Sequence, residues 1–354
     1  MSENIKRFIE CLIPVTACNL KCEYCYVIQE NRRKNEIPDF KYSPETIARG
    51  LSQERLGGTC YISICGAGET LLPKETMQIV RLLLEEGHYV NITTNGTLTS
   101  RFEELKEFPG ELLERLHFAF SLHYLELERK KLLDTFCFNV KLVKSLGCSF
   151  LVQINLYDSY EPIWDVIRKF CQDNFGAPPQ VAATRLEGDQ MKLYTDHSVE
   201  EYYEIGAKMQ SPLFDFTMKN FKVKRKEFCY AGDWSFLLNL STGIMSKCYN
   251  KQGEQDVFAN LEEPIRFEAI GTGCCCQYCI NSSHFMTLGV IPQLETPTYA
   301  SLRNRSEAGW YSDKIHSFLS GKLYDTNLQY SVFRKFYIDA KRKLYYKLRM
   351  GDKK

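Results

Sequence analysis

Seven cysteines stand at spacings that suit metal ligation, in two sets: Cys18, Cys22 and Cys25, then Cys229 and Cys248 with Cys276 and Cys279. The first set reads Cys18-Asn-Leu-Lys-Cys22-Glu-Tyr-Cys25, a CxxxCxxC loop. Thiolates bind iron in iron–sulfur clusters, and a cubane has four irons to satisfy. Three ligands on one short loop leave one iron with an open position. An open position separates a reactive metal site from a closed structural one. The other source of such spacing is a zinc site or chance.

The composition favours metal over disulfides. Fifteen cysteines in 354 residues is a high count, and no secretory signal accompanies it. The start, MSENIKRFIECLIPVTAC, has a short apolar stretch that carries Glu10 and lacks a small-residue cleavage site. No uninterrupted apolar run approaches transmembrane length. The chain therefore reads as cytoplasmic, where disulfide frameworks are rare. The scattered cysteines, Cys11, Cys60, Cys65, Cys137, Cys148 and Cys171, lie in apolar segments and read as small buried hydrophobes. Charge is nearly balanced, 45 basic against 44 acidic residues, so nothing pulls the whole chain toward nucleic acid.

The elements that must position the first loop alternate strand and helix. Strands are predicted over 8–16, 60–65, 88–94, 116–122, 149–157 and 179–186. Ser43-Pro44-Glu45 starts a helix, with Ser as cap and Pro in the first turn. Pro73 opens the next helix, which runs to Gly87. One long helix is predicted over 125–146, ending at Gly147. The segment from Glu161 to Phe175 reads as an amphipathic helix. Six such units predict a parallel sheet with right-handed crossovers, whose site collects at the carboxyl ends of the strands.

The CxxxCxxC loop after the first strand, with Tyr24 before its last cysteine, resembles the radical S-adenosylmethionine (SAM) superfamily. Cys65-Gly66-Ala67-Gly68-Glu69 is similar to that family's GGE motif; Thr70 stands where the family usually has Pro. The resemblance covers residues 8–190 and implies a partial (β/α)6 TIM-like barrel. It implies a [4Fe–4S] cluster on Cys18, Cys22 and Cys25, with SAM on the open iron. Gly66, Gly68 and Glu69 would hold the SAM amino group, and Ser121 and Asn155 its ribose and carboxylate. Arg185 could pair with the carboxylate; a structural salt bridge is its other reading. Tyr24 and Asn95 join the cofactor-binding set, although Asn95, like Gln153, also suits an ordinary turn or core hydrogen bond.

In the second set, thirteen residues separate Cys229 from Gly243 and four separate Gly243 from Cys248. That spacing resembles the opening of the SPASM and twitch domains of radical SAM enzymes, which carry auxiliary [4Fe–4S] clusters. No cysteine follows Cys279 in 75 residues, so one auxiliary cluster, twitch-like, is expected on Cys229, Cys248, Cys276 and Cys279. Cys274 and Cys275 rival Cys276, and CxxC geometry favours the pair 276 and 279. A zinc ribbon on the same residues is the alternative. The organisation expected is a core barrel at 1–215, a twitch-like cluster domain at 216–285 and a basic helical tail at 286–354.

Such an enzyme would cleave SAM reductively and abstract hydrogen from a substrate C–H bond, drawing electrons from a flavodoxin- or ferredoxin-type donor. Peptide modifiers of this kind often carry a leader-binding domain before the barrel, and the cysteine loop here begins at residue 18. The reading is therefore oxidation or epimerisation of a carbohydrate or cyclitol, from a small molecule or glycan precursor. A peptide-modifying maturase is the alternative, and a non-catalytic iron–sulfur or zinc redox module a second. Tyr61, Ser63 and Cys65 share one face of their strand, which makes Cys65 a candidate hydrogen donor. The tail from Phe333 to Lys354 mixes basic and aromatic residues. That composition suits weak contact with an anionic membrane surface, or simply a helix packed on the barrel.

Overall fold

The computed structural model describes residues 4–186, 192–249, 253–273, 279 and 281–351, with side chains to residue 344. Its centre is a nine-stranded sheet in the order β10-β9-β8-β1-β2-β3-β4-β5-β6. The first six strands are β1 (Arg7–Ile13), β2 (Cys60–Gly66), β3 (Tyr89–Thr94), β4 (Leu116–Ser121), β5 (Ser149–Leu156) and β6 (Gln180–Ala183). All pair in parallel with their neighbours. Parallel pairing needs crossover connections, and helices supply them. This is the α/β, partial TIM-like barrel expected for the core.

Local chemistry explains the elements. Ser43 accepts a hydrogen bond from Thr46 N and caps the helix Pro44–Gly50. The helix Glu75–Glu85 buries Met77, Ile79, Val80, Leu83 and Leu84 along one face. The helix expected over 125–146 is two helices, Tyr124–Arg129 and Leu133–Ser145. The break falls at Lys131, whose φ of 57° lies in the left-handed region and cannot continue a helix.

Two features lay beyond the sequence pattern. First, β8 (Ser235–Asn239) pairs in parallel with β1, placing Phe8 opposite Ser235 and Leu12 opposite Asn239. β8 then turns into β9 (Ile244–Ser246), which pairs antiparallel with it and with β10 (Gln255–Asp256). A separate two-stranded piece joins β7 (Phe228–Cys229) to β11 (Gly271–Thr272). The boundary expected at 215 falls inside the helix Pro212–Lys219, and residues 235–239 belong to the core sheet.

Second, residues 281–311 pack into the lumen. Phe8 stacks on His284 and meets Phe285 edge-on. The Tyr61 hydroxyl donates to Tyr299 Oη at 3.1 Å and lies 3.0 Å from His117 Nε2. Arg303 lies over the Tyr299 ring, 3.6 Å from its centroid. The lower lumen is therefore filled by protein, and the strand ends remain for a site.

Candidate functional site

The chain leaves β1 at Ile13 and enters the first cysteine loop. Cys25 N donates to Cys22 O at 3.1 Å, and Cys25 O accepts from Ile28 N and Gln29 N at 2.8 and 2.9 Å. The last two cysteines thus bracket one tight turn that opens the short helix Tyr26–Gln29. Arg33 returns under the loop and donates to the carbonyls of Cys18 (2.5 Å) and Leu20 (2.8 Å). Cys18 Sγ accepts from Leu20 N at 3.4 Å and from Asn95 Nδ2 at 3.6 Å. N–H groups aimed at sulfur favour the thiolate that iron requires.

The three thiols act on one another electrostatically: burial raises the Cys22 pKa, and Cys25 and Cys18 raise it further. Burial also raises the Cys18 pKa. Among the described residues, no three His, Cys, Asp or Glu side chains gather tightly enough to hold a single metal ion. A cubane, whose ligands bind separate irons, asks for no such gathering. The donor set and the N–H···S contacts therefore fit an iron–sulfur cluster on Cys18, Cys22 and Cys25.

The segment after β2 is built against this loop. Ala67, Gly68 and Glu69 donate their N–H groups to the carbonyls of Ile13, Val15 and Ala17 at 3.1, 2.5 and 3.0 Å. A Cβ on Gly68 would stand 2.2 Å from Ala17 O, and one on Gly66 would stand 2.8 Å from Val15 Cγ1. The close approach that these glycines allow is to the chain's own backbone. Glu69 is buried, and burial raises its pKa. Its carboxylate accepts from Thr94 Oγ1 (2.6 Å), Asn95 N (2.9 Å) and Leu71 N (3.1 Å). Glu69 thus ties the end of β3 to the end of β2.

Asn95 fixes the same corner. Its Nδ2 donates to Asn19 Oδ1 at 2.9 Å, and its Oδ1 accepts from Thr97 Oγ1 at 2.6 Å. The Tyr24 side chain is buried. Its hydroxyl lies 2.7 Å from His123 Nδ1 and 3.2 Å from Tyr160 Oη, linking the loop to β4 and the segment after β5. Ser121 ends β4 and accepts from Gln153 Nε2 at 3.3 Å; Asn155 is half-buried on β5. The Arg185 carbonyl accepts from Gln29 Nε2 at 3.3 Å. Its guanidinium is desolvated and within electrostatic reach of Cys279.

The second cysteine set is described in part. Cys229 lies opposite Gly271 in the β7–β11 pair, Cys248 follows β9, and Cys279 precedes the lumen segment. Cys276 and its rivals Cys274 and Cys275 lie outside the described residues.

A buried acid is the main feature that sequence reading missed. Glu10 faces the lumen from β1, and burial lifts its pKa to about 6 against the pull of hydrogen bonds from Tyr249 and Asn281. Asn281 Nδ2 donates to Glu10 Oε2 at 2.9 Å. Cys65 and Cys248 both lie within electrostatic reach of Tyr249. Cys65 is partly accessible, and burial raises its pKa. The signal was present: a carboxylate in the strand RFIECLI is costly unless hydrogen-bonded.

Residues 12–171 match the model of the Radical SAM superfamily. The match covers 160 of the 354 residues and includes the CxxxCxxC loop and the strands β2 to β5. The fold is similar to that of Streptococcus suis SuiB bound to S-adenosylmethionine, with 17% identity and a TM-score of 0.52 over 73% of this chain and 64% of that one. In that alignment the chain spans less than two thirds of SuiB's length. SuiB bound to its precursor peptide SuiA aligns at 17% identity and a TM-score of 0.52, over 92% of this chain and 72% of that one. The structure of anSMEcpe with bound AdoMet aligns at 15% identity and a TM-score of 0.49, over 93% and 84% of the two chains. At 17% identity the likeness to SuiB is one of fold. No curated protein matches the chain by sequence.

Proposed function

We propose that this chain is a radical SAM enzyme, one that cleaves SAM reductively and abstracts hydrogen from a C–H bond of a hydroxylated substrate, a carbohydrate or cyclitol. The observation that carries the SAM chemistry is the Cys18/Cys22/Cys25 loop, locked by Arg33, Asn95 and the 66–69 turn at the strand ends. Cys18, Cys22 and Cys25 would hold a [4Fe–4S] cluster with one iron left open for SAM, and that group would supply the electron for reductive cleavage of SAM. The turn from Gly66 to Glu69 and the side chains of Asn95, Ser121, Asn155 and Arg185 bind and orient SAM; Tyr24 braces the loop from below. Cys229, Cys248, Cys276 and Cys279 hold a second, twitch-like cluster. A flavodoxin- or ferredoxin-type protein in the cytoplasm supplies electrons.

Support for a hydroxylated substrate comes from the hydrogen-bonding groups around the lumen that SAM does not use, Glu10, Tyr249 and Gln153. A peptide substrate is the second reading, favoured by the likeness to SuiB, whose structure holds a precursor peptide. In epimerisation Cys65 donates its S–H hydrogen atom to the substrate radical, and an electron from the donor protein with a proton from solvent restores the thiol. Cys65→Ala is then expected to lose the solvent deuterium that the wild type places in the product while still cleaving SAM. Turnover with deuterium still incorporated would remove Cys65 from this role. Deuterated substrates sort the two classes: label must move into 5′-deoxyadenosine from a sugar. Label arriving only from a peptide would replace the sugar reading with the second one.

A further inference from the structure

The helix Val332–Gly351 is held to the molecule by a mostly polar face. Ile338 is its buried apolar anchor. Asp339 Oδ1 accepts from Thr272 N at 2.8 Å, and Arg342 Nη1 donates to the carbonyls of Ile270 and Gly273 at 3.3 and 2.9 Å. Lys341 Nζ pairs with Glu268 at 2.7 Å. Gly271, at φ +99°, lets the helix come this close, since a Cβ there would stand 2.4 Å from Asp339 Oδ1.

The opposite face is apolar and bare. Phe333 is 87% exposed and Phe336 74%, and Tyr337 and Leu344 are more than half exposed. At 100° per residue these four fall within one arc of about 100°. Arg334 and Lys341 flank one side of the arc and Lys343 the other, and all three are exposed. The helix's acid in this stretch, Asp339, is turned inward to Thr272. Leu328 and Val332, 92% and 81% exposed, extend the patch toward the helix start. Contiguous exposed apolar surface of this kind marks an interaction site. A second copy docking by the same face would oppose Arg334, Lys341 and Lys343 to their own equivalents. Among the described residues no helix is long and apolar enough to cross a membrane.

We infer that this face lies on the surface of an anionic lipid membrane. Phe333, Phe336, Tyr337 and Leu344 enter the interface, and Arg334 and Lys343 reach lipid phosphates, while Lys341 stays paired with Glu268. Basic residues continue past the described side chains at Lys347, Arg349, Lys353 and Lys354. The test is flotation of the full-length reconstituted protein with vesicles of phosphatidylcholine alone or with about a third phosphatidylglycerol. Binding is expected on the anionic vesicles, released by 0.5 M salt, with little on neutral ones. Phe333→Ser with Phe336→Ser is expected to abolish it without changing the melting temperature. Lys343→Glu is expected to weaken it about fivefold or more. Equal behaviour on both vesicles, or binding unchanged in the double variant, would overturn the inference. So would a dimer that the double variant breaks, or capture by an acidic peptide in place of vesicles.

Discussion

The two cysteine regions are built differently. Cys18, Cys22 and Cys25 leave the end of a central strand whose neighbours on both sides are paired over five or more residues. Besides Arg33, which follows the loop in sequence, its supports include residues at three other strand ends: Gly68 after β2, Asn95 after β3 and His123 after β4. Cys229, Cys248 and Cys279 hang on two- and three-residue strands and the segments between them. A loop fixed by a buried parallel sheet has its geometry set before any metal binds. A set spread over 50 residues on short strands would take its geometry largely from any metal that it held.

That contrast predicts where damage will be greatest. Gly68→Ala forces a Cβ to within 2.2 Å of Ala17 O, so the loop or the sheet must move. The expected cost is about 3 kcal/mol or more, with loss of the first cluster. Thermal melting and iron content after anaerobic reconstitution measure both, and a variant with full iron and unchanged melting would contradict the account. Cys229→Ser should act on the other region alone. It should remove about four of about eight irons per chain and leave 5′-deoxyadenosine formation without substrate near the wild-type level. Zinc in place of those irons would replace the auxiliary cluster with a structural site.

A smaller effect isolates the core sheet. His88 is buried as a neutral ring: its Nδ1 accepts from Cys60 N at 3.1 Å and its Nε2 donates to Leu51 O at 2.7 Å. Burial lowers its pKa from 6.5 to about 4, and that of His117 to about 3. Between pH 6.5 and 4 the unfolded chain binds these protons and the native one does not. Stability therefore falls as pH drops through that window, by up to about 1.4 kcal/mol per pH unit for each ring. His88→Gln keeps both hydrogen bonds and removes the titration, so the slope should become shallower. An unchanged slope in denaturant melts would show that His88 does not carry it.

Much of the first region was legible because its signals are local. Three cysteines on eight residues, a Ser-Pro cap and alternating apolar runs need no long-range information. The rest was hidden for definite reasons. The run Ser235–Asn239 is an apolar stretch like any other, and only pairing with Phe8–Leu12 makes it a core strand. The segment 281–311 carries no periodicity that announces a lumen filler; its place comes from Asn281 reaching Glu10 and Tyr299 reaching Tyr61. The break at Lys131 turns on one backbone angle. Glu10 was visible, and its meaning depended on partners 239 and 271 residues away, Tyr249 and Asn281.

The central claim is that the Cys18/Cys22/Cys25 loop makes the radical. Its most direct test is anaerobic reconstitution with iron and sulfide, reduction with dithionite, and chromatography for 5′-deoxyadenosine after adding SAM. The account predicts 5′-deoxyadenosine from the wild-type chain and none from Cys22→Ala, which retains the second set of ligands. 5′-Deoxyadenosine from Cys22→Ala, or none from a fully loaded wild-type chain, would contradict it.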